Sequence, residues 1–371
     1  MKKIKFIEIN YHFHGEYSSP EAVIQKHRPS NLFAGELKEK AEVILVKHMN
    51  HQGEYIENGI RYPFFKRRNS FWQIPAATHR FIAGEKPDLL LVQGFIFPLQ
   101  VMALRRAAGR NCILLLQHHG EVPFRKKRLF QRMADKSVTG YLFTAAGMAS
   151  PWVRSGIIKD TGKCFEMPPA STTFSRKDKS LCREITGMQK GISFLWAGRL
   201  NANKDPLTVL RAFENYFQQV PDARLYMIFQ ENDLLEQVSN MIRASALLSG
   251  RVILAGKKSH SEMETWYNAA DYLISASHHE GGSYVIMEAM ACGCIPIVSN
   301  IPASLKFTGN GCTGYSFEKG NAESLLSVLS SLSPCELPER SQACSKYFHE
   351  ELSPSAVADK MMALFTRLQP E

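Results

Sequence analysis

The chain has 371 residues, 44% of them hydrophobic and 22% charged, and a formal net charge of +10. That exceeds the roughly 250–300 residues at which a single core stops growing, so two domains are expected and a small disulfide-stapled scaffold is excluded. The composition also excludes a disordered or fibrous chain, and no apolar run reaches the roughly 20 residues of a membrane span; the longest, 89–99, is broken by Gln93, Gly94 and Pro98.

Met1-Lys2-Lys3-Ile4-Lys5-Phe6 lacks the apolar core of a signal peptide and reads as the start of a strand. Short apolar runs then alternate with longer mixed segments, the rhythm of βαβ units around a parallel sheet. In the first half, strands are expected over 4–10, 43–47, 89–93, 113–117 and 139–143. The first is followed by Tyr11-His-Phe-His-Gly-Glu16, in which Gly15 is the only glycine, and the fourth by His118-His119-Gly120. A histidine so placed either contacts a ligand or is a hydrogen-bonded scaffold residue. Residues 1–172 hold 26 Lys and Arg against 14 Asp and Glu, the remainder 19 against 21, so the positive charge lies in the first half. Within it, 64–72 and 124–132 mix aromatic rings with cations, a pattern suited to an anionic lipid interface or to a solvated helix face. No nucleic-acid-binding module is recognisable, and nucleic acid is not expected as a partner.

The prolines, hydroxyls and charges of 168–179 suit an exposed hinge. Beyond it, strands are expected over 193–197, 224–228, 252–255, 272–275 and 295–298. The eight cysteines form no C-x-x-C pair, which fits a reducing cytosol, and Cys292-Gly-Cys294 reads as two small buried hydrophobes. Arg199 and Lys204 flank a loop between a strand and a helix that starts at Asp205-Pro206; at the carboxyl edge of a sheet they can clamp phosphate, although alone they are equally a solvated loop. Glu280 precedes Gly281, Gly282 and Ser283, where bare backbone and the positive end of a helix suit an anion. Glu288 sits about 8 Å further along that helix at ~1.5 Å per residue, in an apolar setting that requires hydrogen-bond donors, for which vicinal ribose hydroxyls are suited. Val357, Met361, Met362, Leu364 and Phe365 recur at near-helical spacing, so a terminal amphipathic helix is expected.

As an ordered set, Gly198-Arg199-Leu200, Lys204, Glu280-Gly281 and Glu288-Ala-Met-Ala-Cys-Gly293 before Ile295-Pro-Ile-Val298 resemble the donor domain of family 4 glycosyltransferases. Upstream, Pro87-Asp-Leu-Leu-Leu-Val-Gln-Gly94, His118-His119-Gly120 and Met167-Pro168 look like weaker fragments of the same family. The resemblance implies an α/β GT-B fold, in which two Rossmann-like domains face a central cleft and the last helix crosses back to the first domain. It places an acceptor-side domain at 1–172 with helix 354–371, and a donor domain at 173–353.

By the same resemblance, Arg199 and Lys204 bind the donor diphosphate and Glu288 its ribose. Glu280, Gly281, Gly282 and Ser283 hold the transferred sugar and phosphate. His119 or His118 faces the sugar, and Gly15 is a weaker candidate. The implied reaction is retaining transfer from a nucleotide diphosphate sugar to a glycan or lipid-linked acceptor, in cell-surface polysaccharide synthesis, by a cytoplasmic enzyme peripheral to the inner face of the membrane. No Asp-x-Asp is present, Glu231-Asn-Asp233 being a loose relative, so no metal and no cofactor beyond the co-substrate are expected. The chain departs from the family in having Glu280-Gly-Gly-Ser283 for Glu-Gly-Phe-Gly, Ala303-Ser-Leu305 where an acidic residue is usual, and no glycine pair after the first strand. The rival readings are a nucleotide-sugar epimerase or phosphorylase on this fold, and a catalytically silent glycan-binding protein.

Overall fold

The computed structural model describes residues 3–28, 31–66 and 72–369. They fold as two compact units, one running to Ser171 and resuming at Pro354, the other spanning Thr172–Ser353. The first unit holds β1 (Ile4–Phe13), β2 (Ala41–Met49), β3 (Gly53–Glu57), β4 (Ile60–Lys66), β5 (Leu89–Gln93), β6 (Ile113–Gln117), β7 (Gly140–Phe143) and β8 (Cys164–Glu166). Their order is β3-β4-β2-β1-β5-β6-β7-β8. All neighbours are parallel except β3, which runs antiparallel to β4. β5 and β6 are continuous apolar runs because a parallel sheet is covered on both faces. Leu89, Leu91, Ile113 and Leu115 feed one core and Leu90, Val92, Leu114 and Leu116 the other. The helix Pro354–Leu368 buries Val357, Ala358, Met361, Leu364 and Phe365 in the first of these cores, beside Phe33 and Leu37. The 3.6-residue period thus places the terminal helix on the first unit, and each large side chain so buried contributes about 1.5–3 kcal/mol.

The hairpin β3–β4 was not among the strands expected from the sequence. Its turn, Asn58-Gly59, has φ of 52° and 81°, the left-handed pair a two-residue hairpin requires.

The second unit holds β9 (Ser193–Gly198), β10 (Arg224–Phe229), β11 (Val252–Gly256), β12 (Tyr272–Ser275), β13 (Ile295–Ser299) and β14 (Tyr315–Phe317). The order is β11-β10-β9-β12-β13-β14, with every pairing parallel. At the amino ends, buried Asp271 accepts from Ser193 N at 2.8 Å and from Arg183 Nη2 at 2.8 Å, tying the start of β9 to that of β12. Strand order reverses between β9 and β12 here, and between β1 and β5 in the first unit. In open parallel sheets, ligands bind beyond the carboxyl ends at such a reversal. The α/β, two-Rossmann-unit architecture is therefore that of the expected class. No helix among the described residues is long and apolar enough to cross a membrane.

Candidate active site

At the reversal point of the second sheet, the loops after β9 and β12 are joined by hydrogen bonds. His278 N donates to Asn203 O at 2.8 Å, Asn203 Nδ2 to His279 O at 3.0 Å, and His279 N to Asn203 Oδ1 at 3.1 Å. Asp205 adopts φ 44°, caps the helix Pro206–Gln219 through Thr208 N, and accepts from His278 Nε2 at 2.9 Å. These contacts hold Lys204 against Glu280, and the two side chains form an ion pair that is mostly shielded from solvent. Arg199 stands apart from that pair: its guanidinium is 65% exposed and lies 3.3 Å from Glu231 on the loop after β10.

Ser283 is the N-cap of the helix Tyr284–Ala291, and its buried Oγ makes no hydrogen bond to the protein. Gly281 and Gly282 precede it, so bare backbone, a helix dipole and a hydroxyl meet beside the Lys204–Glu280 pair. One turn on, Glu288 is 5% exposed. Its Oε1 accepts from His260 Nε2 at 2.9 Å and its Oε2 from the Tyr267 hydroxyl at 3.1 Å. The donors the buried carboxylate requires are thus supplied by the protein, while lone pairs remain for further donors. The hydrogen bond to Glu288 raises the His260 pKa against the effect of burial; burial, then Glu288, raises that of Tyr267 well above the ordinary phenol value. The His260 ring packs on Phe174 at 4.8 Å. Neither His260 nor Tyr267 was singled out in the sequence, because 28 and 21 residues separate them from Glu288 and no pattern links them to it.

The first unit presents its own constellation. His118 is buried; its Nε2 donates to Glu121 O at 2.7 Å and its Nδ1 accepts from Gly120 N at 3.3 Å. Both nitrogens are thus engaged by backbone, and Phe95, Phe143 and Trp152 surround the ring. His119 differs. Its Nε2 lies 2.6 Å from Gln93 Oε1, while Gln93 Nε2 donates to Glu8 at 3.0 Å and Lys47 Nζ donates to Glu8 at 3.2 Å. Because the Gln93 amide nitrogen serves Glu8, its oxygen must accept, which puts the His119 proton on Nε2 and leaves Nδ1 as an acceptor. Desolvation lowers the His119 pKa, opposed by Glu121 and Glu8, so the ring is neutral at neutral pH. Gly94 has φ +89°, a backbone conformation that favours glycine, and a Cβ there would displace the Glu121 carboxylate, 2.9 Å away. Gly15 lies at the exposed end of β1.

In the basic segment, Arg128 and Arg132 donate to Ser155 O, Arg132 at 2.8 Å, and are structural cations. Arg125 and Lys126 are exposed. Beside them Val122, Leu129 and Met133 are 58, 66 and 49% exposed, and Trp72 and Ile74 54 and 47%. Trp72 contacts Phe130. Of the other basic-aromatic segment, 64–72, residues 67–71 lie outside those described. All eight cysteines are free thiols, and Cys292 and Cys294 are buried.

In the second unit a parallel sheet brings a cation–carboxylate pair and a glycine-flanked helix start to one reversal point, the arrangement of an α/β domain. Residues 182–350 match the family model for glycosyl transferases group 1, a match that lies within the second unit. Over 124 residues the chain is 28% identical to the GDP-mannose:cellobiosyl-diphosphopolyprenol alpha-mannosyltransferase of Xanthomonas oryzae pv. oryzae, covering 33% of each protein. Over 150 residues it is 25% identical to the lipopolysaccharide 1,2-N-acetylglucosaminetransferase of Salmonella typhimurium, covering 38% of this chain and 39% of that protein. The match therefore spans little more than a third of these relatives. The crystal structure of a glycosyltransferase from Rickettsia africae superimposes with a TM-score of 0.76 over 99% of both chains at 14% identity, a likeness of fold.

Proposed function

We propose that the protein is a glycosyltransferase that moves a sugar from a nucleoside diphosphate sugar to a glycan or lipid-linked acceptor, with retained anomeric configuration and without a metal. The observation that carries this reading is the meeting of Lys204, Glu280 and the Gly281-Gly282-Ser283 helix start at the reversal point of the second sheet. In the reaction the anomeric carbon–oxygen bond breaks, the diphosphate leaves with the bonding pair, and the acceptor hydroxyl oxygen bonds the anomeric carbon as its proton passes to the departing diphosphate. Charge grows on the departing phosphate, and fixed donors aimed at that charge lower the barrier.

Lys204, Arg199 and the backbone amides before the helix supply such donors; Arg199 exchanges its exposed partner Glu231 for phosphate oxygens. Glu280 accepts from sugar hydroxyls, and Glu288 from the ribose, through lone pairs that His260 and Tyr267 do not use. We assign His119, neutral and with Nδ1 open, to the sugar from the family resemblance. Mannosyl and N-acetylglucosaminyl transfer by the two curated relatives, one acting on a diphosphopolyprenol, supports a glycan-building role and a membrane-borne acceptor. The exposed apolar side chains beside Arg125 and Lys126 support peripheral attachment to an anionic leaflet on the cytoplasmic side.

A thermal-shift screen of nucleotide sugars tests the donor, because a ligand of the native state alone raises apparent stability with occupancy. A stabilising donor that is then transferred to acceptor supports the reading. Wild-type turnover in a folded Glu288→Ala or Arg199→Ala enzyme contradicts the site, and donor binding without transfer points to a silent binding protein.

A further inference from the structure

We propose that the segment leaving β1 forms a site for one divalent cation of the zinc type, held by His12, His14 and Glu16. One ligand atom from each of the three residues lies within 4.8 Å of the others. Donors about 2.1 Å from a tetrahedral ion are about 3.4 Å apart, so a closure of at most about 1.4 Å completes the arrangement. The local chain explains the juxtaposition. Side chains two apart on extended backbone project to the same side, so His12 and His14 share one side while Tyr11 enters the core. The register of β1 against β2 shifts between Ile9 and Phe13, and pairing resumes at Phe13 with His48, so the irregularity re-aims the side chains at the end of the strand. This is also the segment in which the sequence departs from the family's glycine pair.

The second observation is His14 itself. It is 2% exposed, its Nε2 makes no hydrogen bond, and its Nδ1 stands 3.9 Å from Glu16 Oε1, beyond hydrogen-bond length. A buried imidazole nitrogen without a hydrogen-bond partner is destabilising, which coordination would offset. The His27 ring centroid is 4.6 Å from that of His14, so His27 is the candidate fourth ligand. Lys47 does not repel the ion outright, because its charge is matched by Glu8 at 3.2 Å and Glu16 adds a negative charge. Imidazole donors favour zinc, cobalt, nickel or copper over magnesium, which prefers oxygen. The site takes no part in the transfer proposed above and stands or falls independently of it.

The test uses the full chain, stripped with EDTA, titrated with zinc chloride by calorimetry and with cobalt(II) by visible spectroscopy. One bound equivalent of zinc, no heat from magnesium, a tetrahedral nitrogen–oxygen cobalt spectrum and a melting temperature that rises with zinc are expected. His12→Ala and Glu16→Gln, at exposed positions and so harmless to the fold, should each weaken binding by about tenfold or more, since even outer-shell changes at metal sites cost that much. No bound equivalent, equal binding by all variants, or a cobalt spectrum with thiolate bands, which would place the ion on cysteines such as exposed Cys312 or Cys335, overturns the proposal.

Discussion

The two sheets reverse their strand order in the same way, yet their carboxyl edges treat charge differently. On the second sheet, Lys204 meets Glu280 on loops beyond the strands, and Arg199 keeps an exposed partner. On the first, Lys47 and Glu8 lie within strands, each at most 2% exposed, with Gln93 passing the interaction to His119. A charge pair on a loop can be exchanged for a ligand's charge, whereas a pair sealed in a sheet holds its neighbours in place. The same topology thus yields a charge pair open to exchange in one unit and a sealed, polar-cored edge in the other.

The sharpest way to break that contrast is to remove each lysine. Lys47→Ala leaves a buried carboxylate unpaired and should lower stability by about 3–5 kcal/mol in denaturant unfolding, to the point of poor folding. Lys204→Ala should leave the melting temperature nearly unchanged and reduce kcat by about 10²–10³, the loss of one preorganised donor. If Lys204→Ala unfolds the protein while Lys47→Ala does not, the comparison is wrong.

Histidine titration sharpens it next, because the two units have opposite signs. His14 is held down to about 4 by burial, so between the unfolded value near 6.5 and that pKa the unfolded chain binds more protons. Its unit should lose stability as pH falls through this window, by an amount of order a few kcal/mol. His260 is raised by its hydrogen bond to Glu288; its contribution is full below about 6.5 and fades as pH rises through the folded value. The melting-temperature gap between wild type and His260→Gln should narrow from pH 6 to pH 8.5, measured by calorimetry, and the gap for His14→Asn should change in the other direction.

Smaller effects follow. Tyr267→Phe removes one of two protein donors to Glu288 and should destabilise by about 1–3 kcal/mol while weakening donor binding, read by paired unfolding and titration. Neutralising Arg125 and Lys126 should cost about 1 kcal/mol per charge of affinity for anionic vesicles, measured by flotation at low salt. Arg128 is unsuited to that test because its guanidinium supports Ser155 O.

Much of this was legible in the sequence. Five strands in each unit announce themselves as mainly apolar runs, and the pairing of Lys204 with Glu280 joins two loops that glycines, a cap and a proline mark in the sequence. The hairpin β3–β4 carries its own signal in Asn58-Gly59, but Pro63, which lacks an N–H for the ladder, masks the strand pattern of β4. β8 and β14 have only three residues each, too few for a period. What could not be read were partnerships across the fold: His260 and Tyr267 for Glu288, Glu231 for Arg199, and Gln93 with Glu8 for His119. His118 and His119 are adjacent in sequence, and only their surroundings separate a ring with both nitrogens engaged from one with an open nitrogen.

The helix Pro354–Leu368 fills a gap in the core of the first unit, although it is synthesised after the whole of the second. While the chain emerges from the ribosome, residues 1–171 must wait with Phe33, Leu37 and their neighbours uncovered, whereas the intervening unit has all its parts as soon as it has been made. The order of maturation is thus inverted relative to the order of translation, and any truncation within those last helical turns should expose an apolar face that chaperones and proteases recognise.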